Sequence, residues 1–182
     1  MSPRHRGPAR AEGEVKKTER ARTSPTRAAR VLNDFIGHIH SARCSQAIWL
    51  RVLDDPRYRI AAKYGLQAAF GMIALTLRKF EDFYSEDFHL AIPERSRRPP
   101  EAKWLLQESQ KRNLRSAANV VIAHYKDKSR AIPSASEITK LIERGGWETD
   151  EELMAWAASV MDRLEAVRDA VMAYHGLSGL DD

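Results

Sequence analysis

Cys44 is the only cysteine in the 182 residues, so an intrachain disulfide is excluded and packing alone must hold the fold. Such sparse thiol usage suits a reducing cytoplasm, the location expected here. Long apolar runs are missing too. The longest candidate, Tyr64 to Leu77, is fourteen residues interrupted by Gln67, too short for a bilayer and suited to a buried core helix, so no membrane association is expected. No apolar stretch follows the basic amino-terminal residues, which excludes a recognisable secretory signal. The glycine-rich phosphate loop, the dinucleotide glycine motif, His-Glu-x-x-His and paired Cys-x-x-Cys are all absent, so the chemistries they serve have no footing and no cofactor is expected. There is no useful stretch of strand-period alternation and no internal repeat.

What the chain does have is apolar residues at helical spacing. Ser24-Pro25 reads as an N-cap followed by proline at the first helical position. Leu32, Phe35, Ile36, Ile39, Ala42, Trp49, Leu50 and Leu53 follow at close to a 3.6-residue period, and Asp54-Asp55-Pro56 ends that helix. The pattern predicts a second helix from about Tyr58 to Tyr84, with Ile60, Tyr64, Ala68, Ala69, Ile73, Leu77, Phe80 and Phe83 as its buried stripe. Gly65 and Gly71 weaken this helix intrinsically but would let a neighbouring helix come close. A loop is expected over about 85–100, where Pro93, Pro99 and Pro100 act as breakers, and a third helix over about Glu101 to Asp127 with Leu114, Ala118, Val121 and Tyr125 as its seam.

Ser134-x-x-Glu137 reads as a capping box opening a short helix to Arg144, and Gly145-Gly146 stops it. Thr149-x-x-Glu152 opens a last long helix whose stripe is Leu153, Trp156, Ala157, Val160, Leu164, Val167, Val171 and Tyr174, closed by Gly176. Four long helices with one substantial crossover predict an all-α, up-and-down-like four-helix bundle over 24–176, with a short tail at 177–182. Residues 1–23 are rich in Arg, Pro, Gly and Glu and nearly devoid of large apolar side chains, so a disordered basic arm is expected there. Such an arm can hold nucleic-acid phosphates loosely or serve as a solubilising tail.

The net charge of +5 is unevenly placed. Residues 1–30 carry nine Lys/Arg and three Glu, 94–130 carry ten basic residues against four acids, and 131–182 carry four against eleven. A basic segment followed by an acidic one can steer an anionic ligand to one side, or the two can simply attract each other. His38, His40 and Cys44 fall within two turns of the first helix, but no matching ligand pair stands out elsewhere, so ordinary side chains on an amphipathic helix explain them better than a metal site.

The remaining candidate is the stretch Ala117-Ala118-Asn119-Val120-Val121-Ile122-Ala123-His124-Tyr125-Lys126-Asp127. A polar residue followed five positions later by histidine, late in a basic helix, suits chemistry on RNA. A histidine can take the ribose 2′-hydroxyl proton near neutral pH, and a cation must hold the phosphate as charge develops. Arg112, Arg115, Lys126 and Lys128 supply positive charge nearby and are the candidate RNA-binding residues. The competing reading of His124 is a structural histidine at the rim of the core.

This stretch resembles the third helix of HEPN-domain proteins, in particular the branch related to the abortive-infection U proteins, whose members carry an R-N/D-x-x-x-A-H segment followed by a Lys- or Asp-containing turn and a proline. Asn119, Ala123, His124, Asp127 and Pro133 fit that pattern. The second-helix stretch Ile73 to Asp82 is similar to the family's L-x-L-x-R/K-L/F-x-D stretch, and the resemblance covers roughly 25–176. It implies a homodimer in which arginine and histidine of an R-x4–6-H motif meet across the interface as a metal-independent endoribonuclease site. It further implies toxins or phage-defence proteins neutralised by an antitoxin partner.

One departure stands out. The motif's arginine falls at Ala118, so His124 and Asn119 carry over as catalytic candidates while the arginine does not. Arg115, one turn earlier, is a possible substitute, although on an ideal helix it points away from position 118. A non-catalytic relative, a nuclease with a relocated arginine and a deliberate replacement at 118 all fit the sequence. So does a non-enzymatic helical interaction module that binds a protein partner or nucleic acid.

Overall fold

The computed structural model describes residues 24–119 and 135–178. The expected basic arm, the seam residues Val121 and Tyr125, the candidate residues His124, Lys126 and Lys128, and the capping serine Ser134 lie outside the described residues. Within them the chain is an all-α bundle with no strand, as the apolar periodicity predicts.

Helix α1, Pro25–Val52, begins at the expected proline, although the Ser24 hydroxyl makes no capping bond. It buries Leu32, Phe35, Ile36, Ile39 and Ala42 and packs along both α2, Arg59–Phe83, and α6, Asp150–Tyr174. Arg168 donates to Asn33 and Arg43 to the sulfur of Met161, so α6 runs antiparallel to α1. The stripe predicted for α6 is buried from Leu153 to Val171. The Thr149 hydroxyl accepts from the Glu152 amide at its start. At its end Gly176, at φ 64°, closes a Schellman turn in which the Leu177 amide donates to Met172 and the Gly176 amide to Ala173.

Three departures from the sequence expectation have physical causes. The first half of α2 is turned. Ile60, Tyr64 and Ala68 face outward, with Ile60 72% exposed, while Ala62, Leu66, Ala69 and Phe70 face the core. Gly65 explains this: a Cβ there would stand 2.0 Å from the Trp49 ring, so the glycine face must lie under that indole of α1 and the apolar residues beside it rotate outward.

The second departure lies in the expected loop. The chain stays helical through a π turn, Tyr84–Phe88, and a last turn, His89–Ala91. Phe83 and Phe88 are five residues apart, out of phase for an α-helix, and the extra residue of the π turn lets both reach the core. The Arg98 side chain then donates to the carbonyls of Ile92 and Pro93 at 2.8 and 3.3 Å, tying the returning chain to that helix end.

The third departure is that the single third helix is two. Helix α3, Pro100–Lys111, stops at Arg112, and Asn113 adopts a left-handed φ of 53°, a conformation asparagine tolerates. The amides of Ser116 and Ala117 bond back to the Asn113 carbonyl as α4, described over 114–119, begins. Helix α5, Ala135–Arg144, ends where Gly146 turns at φ 81°.

The helical run Arg59–Ala91 is long and apolar enough to cross a membrane by composition, but 56% of its most apolar window is buried inside the bundle, as a core helix requires.

Candidate functional site

The break after α3 separates two neighbouring arginines into different roles. Arg112 ends α3 and turns inward. Its Nε donates to Glu108 at 2.8 Å and its Nη1 to the Gly145 carbonyl at 2.6 Å. Its guanidinium lies 4.4 Å from the centroid of the Trp147 ring and 5.4 Å from that of Trp156. The Trp156 indole N–H also donates to Glu108, and the two indoles meet edge-on at 4.7 Å. Gly145 is a glycine because a Cβ would enter the Trp147 ring, at 2.1 Å. Burial alone would push the Glu108 carboxyl up. The hydrogen bonds from Arg112 and Trp156, with the charges of Arg112 and Lys111, outweigh it and hold the carboxyl below the ordinary glutamate value. Arg112 is therefore a brace between α3, the 145–147 turn and α6. Only 17% of the Arg112 side chain, an expected RNA-binding group, is exposed, and its Nε and Nη1 donors and its ring contacts are engaged inside the monomer.

Beyond the break, Leu114, Ala117 and Ala118 face the core, and Arg115 and Asn119 face out. Position 118, where the resemblance expects an arginine, is fully buried within the monomer. A guanidinium there would stand among aliphatic side chains rather than at a surface. Arg115 and Asn119 are one turn apart and so share a face of α4. Arg115 makes no hydrogen bond or ion pair among the described residues.

The arginine that meets Asn119 comes from another helix. Arg78 of α2 donates through Nη1 to the Asn119 side-chain carbonyl. The helices that carry the pair are fixed nearby by Ser109 of α3, fully buried, whose hydroxyl donates to Glu81 of α2 at 2.5 Å. Arg78, Arg115 and Asn119 thus form an outward polar patch at the foot of the segment that runs on to His124, with Lys79 exposed beside Arg78. In the sequence Arg78 falls within the stretch Ile73 to Asp82 with nothing local that marks out a role for it. No local spacing could have flagged it, because its partner lies 41 residues away.

At the other candidate cluster, Cys44 Sγ and His40 Nε2 lie 3.6 Å apart on the exposed face of α1. No group of three or more His, Cys, Asp or Glu suited to a metal ion forms among the described residues. Comparison with family models, with curated proteins and with solved structures finds no match.

Proposed function

We propose that this chain is an RNA-targeting protein of the HEPN kind, acting as a toxin or in phage defence in the cytoplasm. The observation that carries the reading is the Arg78–Asn119 hydrogen bond beside Arg115, which has no hydrogen bond or ion pair among the described residues. Two guanidiniums from different helices stand where the family-like segment begins, with planar donors suited to phosphate oxygens. In this reading Arg78 takes over phosphate binding from the arginine absent at position 118. Asn119 orients Arg78, and His124 is the general acid/base: it takes the 2′-hydroxyl proton as that oxygen bonds to the adjacent phosphorus, the P–O5′ bond breaks to leave a 2′,3′-cyclic phosphate, and the proton passes to the departing 5′-oxygen. Lys126 and Lys128 extend the RNA track. Because the relocated arginine starts from α2, cleavage is slow and RNA binding is the stronger activity.

A homodimer belongs to the same reading. It is supported by the outward stripe Ile60, Tyr64, Ala68 and Met72 on α2, four residues apart and with Tyr64 51% exposed, which leaves an apolar helix face without a partner among the described residues. Neutralisation by an antitoxin protein is part of the proposal as well.

The test is incubation of the protein with end-labelled single-stranded RNA in EDTA. Binding with slow, metal-independent cleavage is expected, with cleavage abolished by His124→Ala. An absence of RNA binding, or cleavage that survives His124→Ala, overturns the reading.

A further inference from the structure

A groove of about 850 Å³ opens at the opposite half of α2, between the end of α1, the start of α2, α5 and the start of α6. It lies three helical turns along α2 from Arg78 and shares no residue with the patch above. Its floor is apolar, formed by Leu53, Leu66, Ile142 and Trp147. Its volume falls within the range of about 300–1,000 Å³ typical of ligand sites, and one side is open to solvent.

Several polar groups of this groove have no partner among the described residues. Gln67 is only 8% exposed, lines the groove, and its amide makes no hydrogen bond among the described residues. That amide can both donate and accept, and in the same lining the buried Trp147 indole N–H has no hydrogen-bond partner among the described residues, which is costly to leave so. The carboxylates of Glu143, Glu148, Asp150 and Glu151 also line the groove and have no ion pair or hydrogen bond among the described residues. The helix start itself does not require them. Thr149 and Glu152 already cap α6, the Glu152 carboxylate accepting from the Glu148 amide at 2.8 Å. Burial and then the Glu151 charge push the Asp150 carboxyl up, as expected of a carboxylate short of a counter-charge. Lys63 of α2 and Lys140 of α5 also line the groove, so the four acids outnumber the cations by two, and three of the acids lie at 148–151.

We propose that this groove binds an extended segment of a partner polypeptide in which basic and apolar side chains alternate. The apolar side chains would cover Leu66, Ile142 and Trp147, the basic ones would reach the 148–151 rim, and the Gln67 amide would pair with the segment's backbone. Charge complementarity selects a basic segment, and the two-way hydrogen bonding of Gln67 selects a peptide over a simple cation. This assignment does not depend on the RNA reading.

The test is fluorescence polarisation of the full chain with a labelled eight-residue peptide of alternating Arg and Leu, beside its Glu-Leu counterpart. Saturable binding of the Arg-Leu peptide alone is expected, weakened at least tenfold by Gln67→Leu and by the double variant Glu148→Gln/Glu151→Gln. Asp162→Asn and Glu86→Gln, exposed acids outside the groove, should leave it unchanged. Equal loss from those two variants would reduce the binding to general charge attraction and overturn the proposal. So would binding of the Glu-Leu peptide, displacement by single-stranded RNA, or failure of the Arg-Leu peptide to bind. Binding that emerges only after deletion of residues 1–23 would overturn it too, because the chain's own basic arm would then be the occupant.

Discussion

Arg112 and Arg115 are three residues apart in one basic segment, yet the structure uses them in opposite ways. Arg112 is held against Glu108 and two indoles, whereas Arg115 stands outward beside Asn119 with no partner among the described residues. The left-handed turn at Asn113 separates them: a continuous helix would keep both on one drifting face, and the break resets the face for α4. A run of positive charge is therefore not itself a binding surface. The guanidiniums free to bind are those whose charge the monomer has not already compensated.

The sharpest way to break this contrast is to put an arginine on the buried side of α4. Ala118→Arg should destabilise the fold by on the order of 4 kcal/mol or prevent folding, since it forces an unpaired charge into a closed core. Far-ultraviolet circular dichroism on denaturant titration reads this. An Ala118→Arg protein as stable as the parent would mean that position 118 opens to solvent, and the inward and outward faces of α4 would have to be redrawn.

Removing the brace should cost less. Arg112→Ala leaves Glu108, 13% exposed, without its main counter-charge and should lower stability by about 3 kcal/mol, with Arg112→Lys restoring little because a lysine cannot reproduce the fork and the indole stacking. The same pair gives the bundle an acid limit. The folded carboxyl of Glu108 lies below its ordinary 4.5, so its stabilisation is present above that value and is lost as pH falls through the lower folded value. Thermal melts from pH 6 downward should therefore show a steeper loss in the parent than in Glu108→Gln; parallel curves would remove Glu108 from the account. Arg115→Ala, at the outward end of the comparison, should change stability by no more than about 0.5 kcal/mol in the same melts.

Much of the architecture was legible in the sequence. The stripe of α6, the proline start of α1, the glycine stop at Gly176 and the all-helical class follow from local periodicity and capping chemistry. What was not legible depends on contacts between distant residues. Ile60 and Tyr64 match a buried period as well as Leu66 and Phe70 do, and only the fit of Trp49 over Gly65 decides which set turns inward. Ser85 to Ala91 reads as a loop next to prolines until the five-residue step from Phe83 to Phe88 is absorbed by a π turn. At the candidate site, Asn119 and Ala118 were identified by motif, but the burial of one and the arginine that reaches the other are set by α2 and the core.

In the proposed function, Arg78 and Arg115 form a phosphate-binding surface outside the folding core. The direct measurement is the salt dependence of single-stranded RNA binding for the parent and for the double variant Arg78→Ala/Arg115→Ala. Loss of two phosphate contacts should flatten the slope of log K against log salt by about 1.4, at about 0.7 per contact on a single strand. An unchanged slope in a folded double variant would contradict the claim.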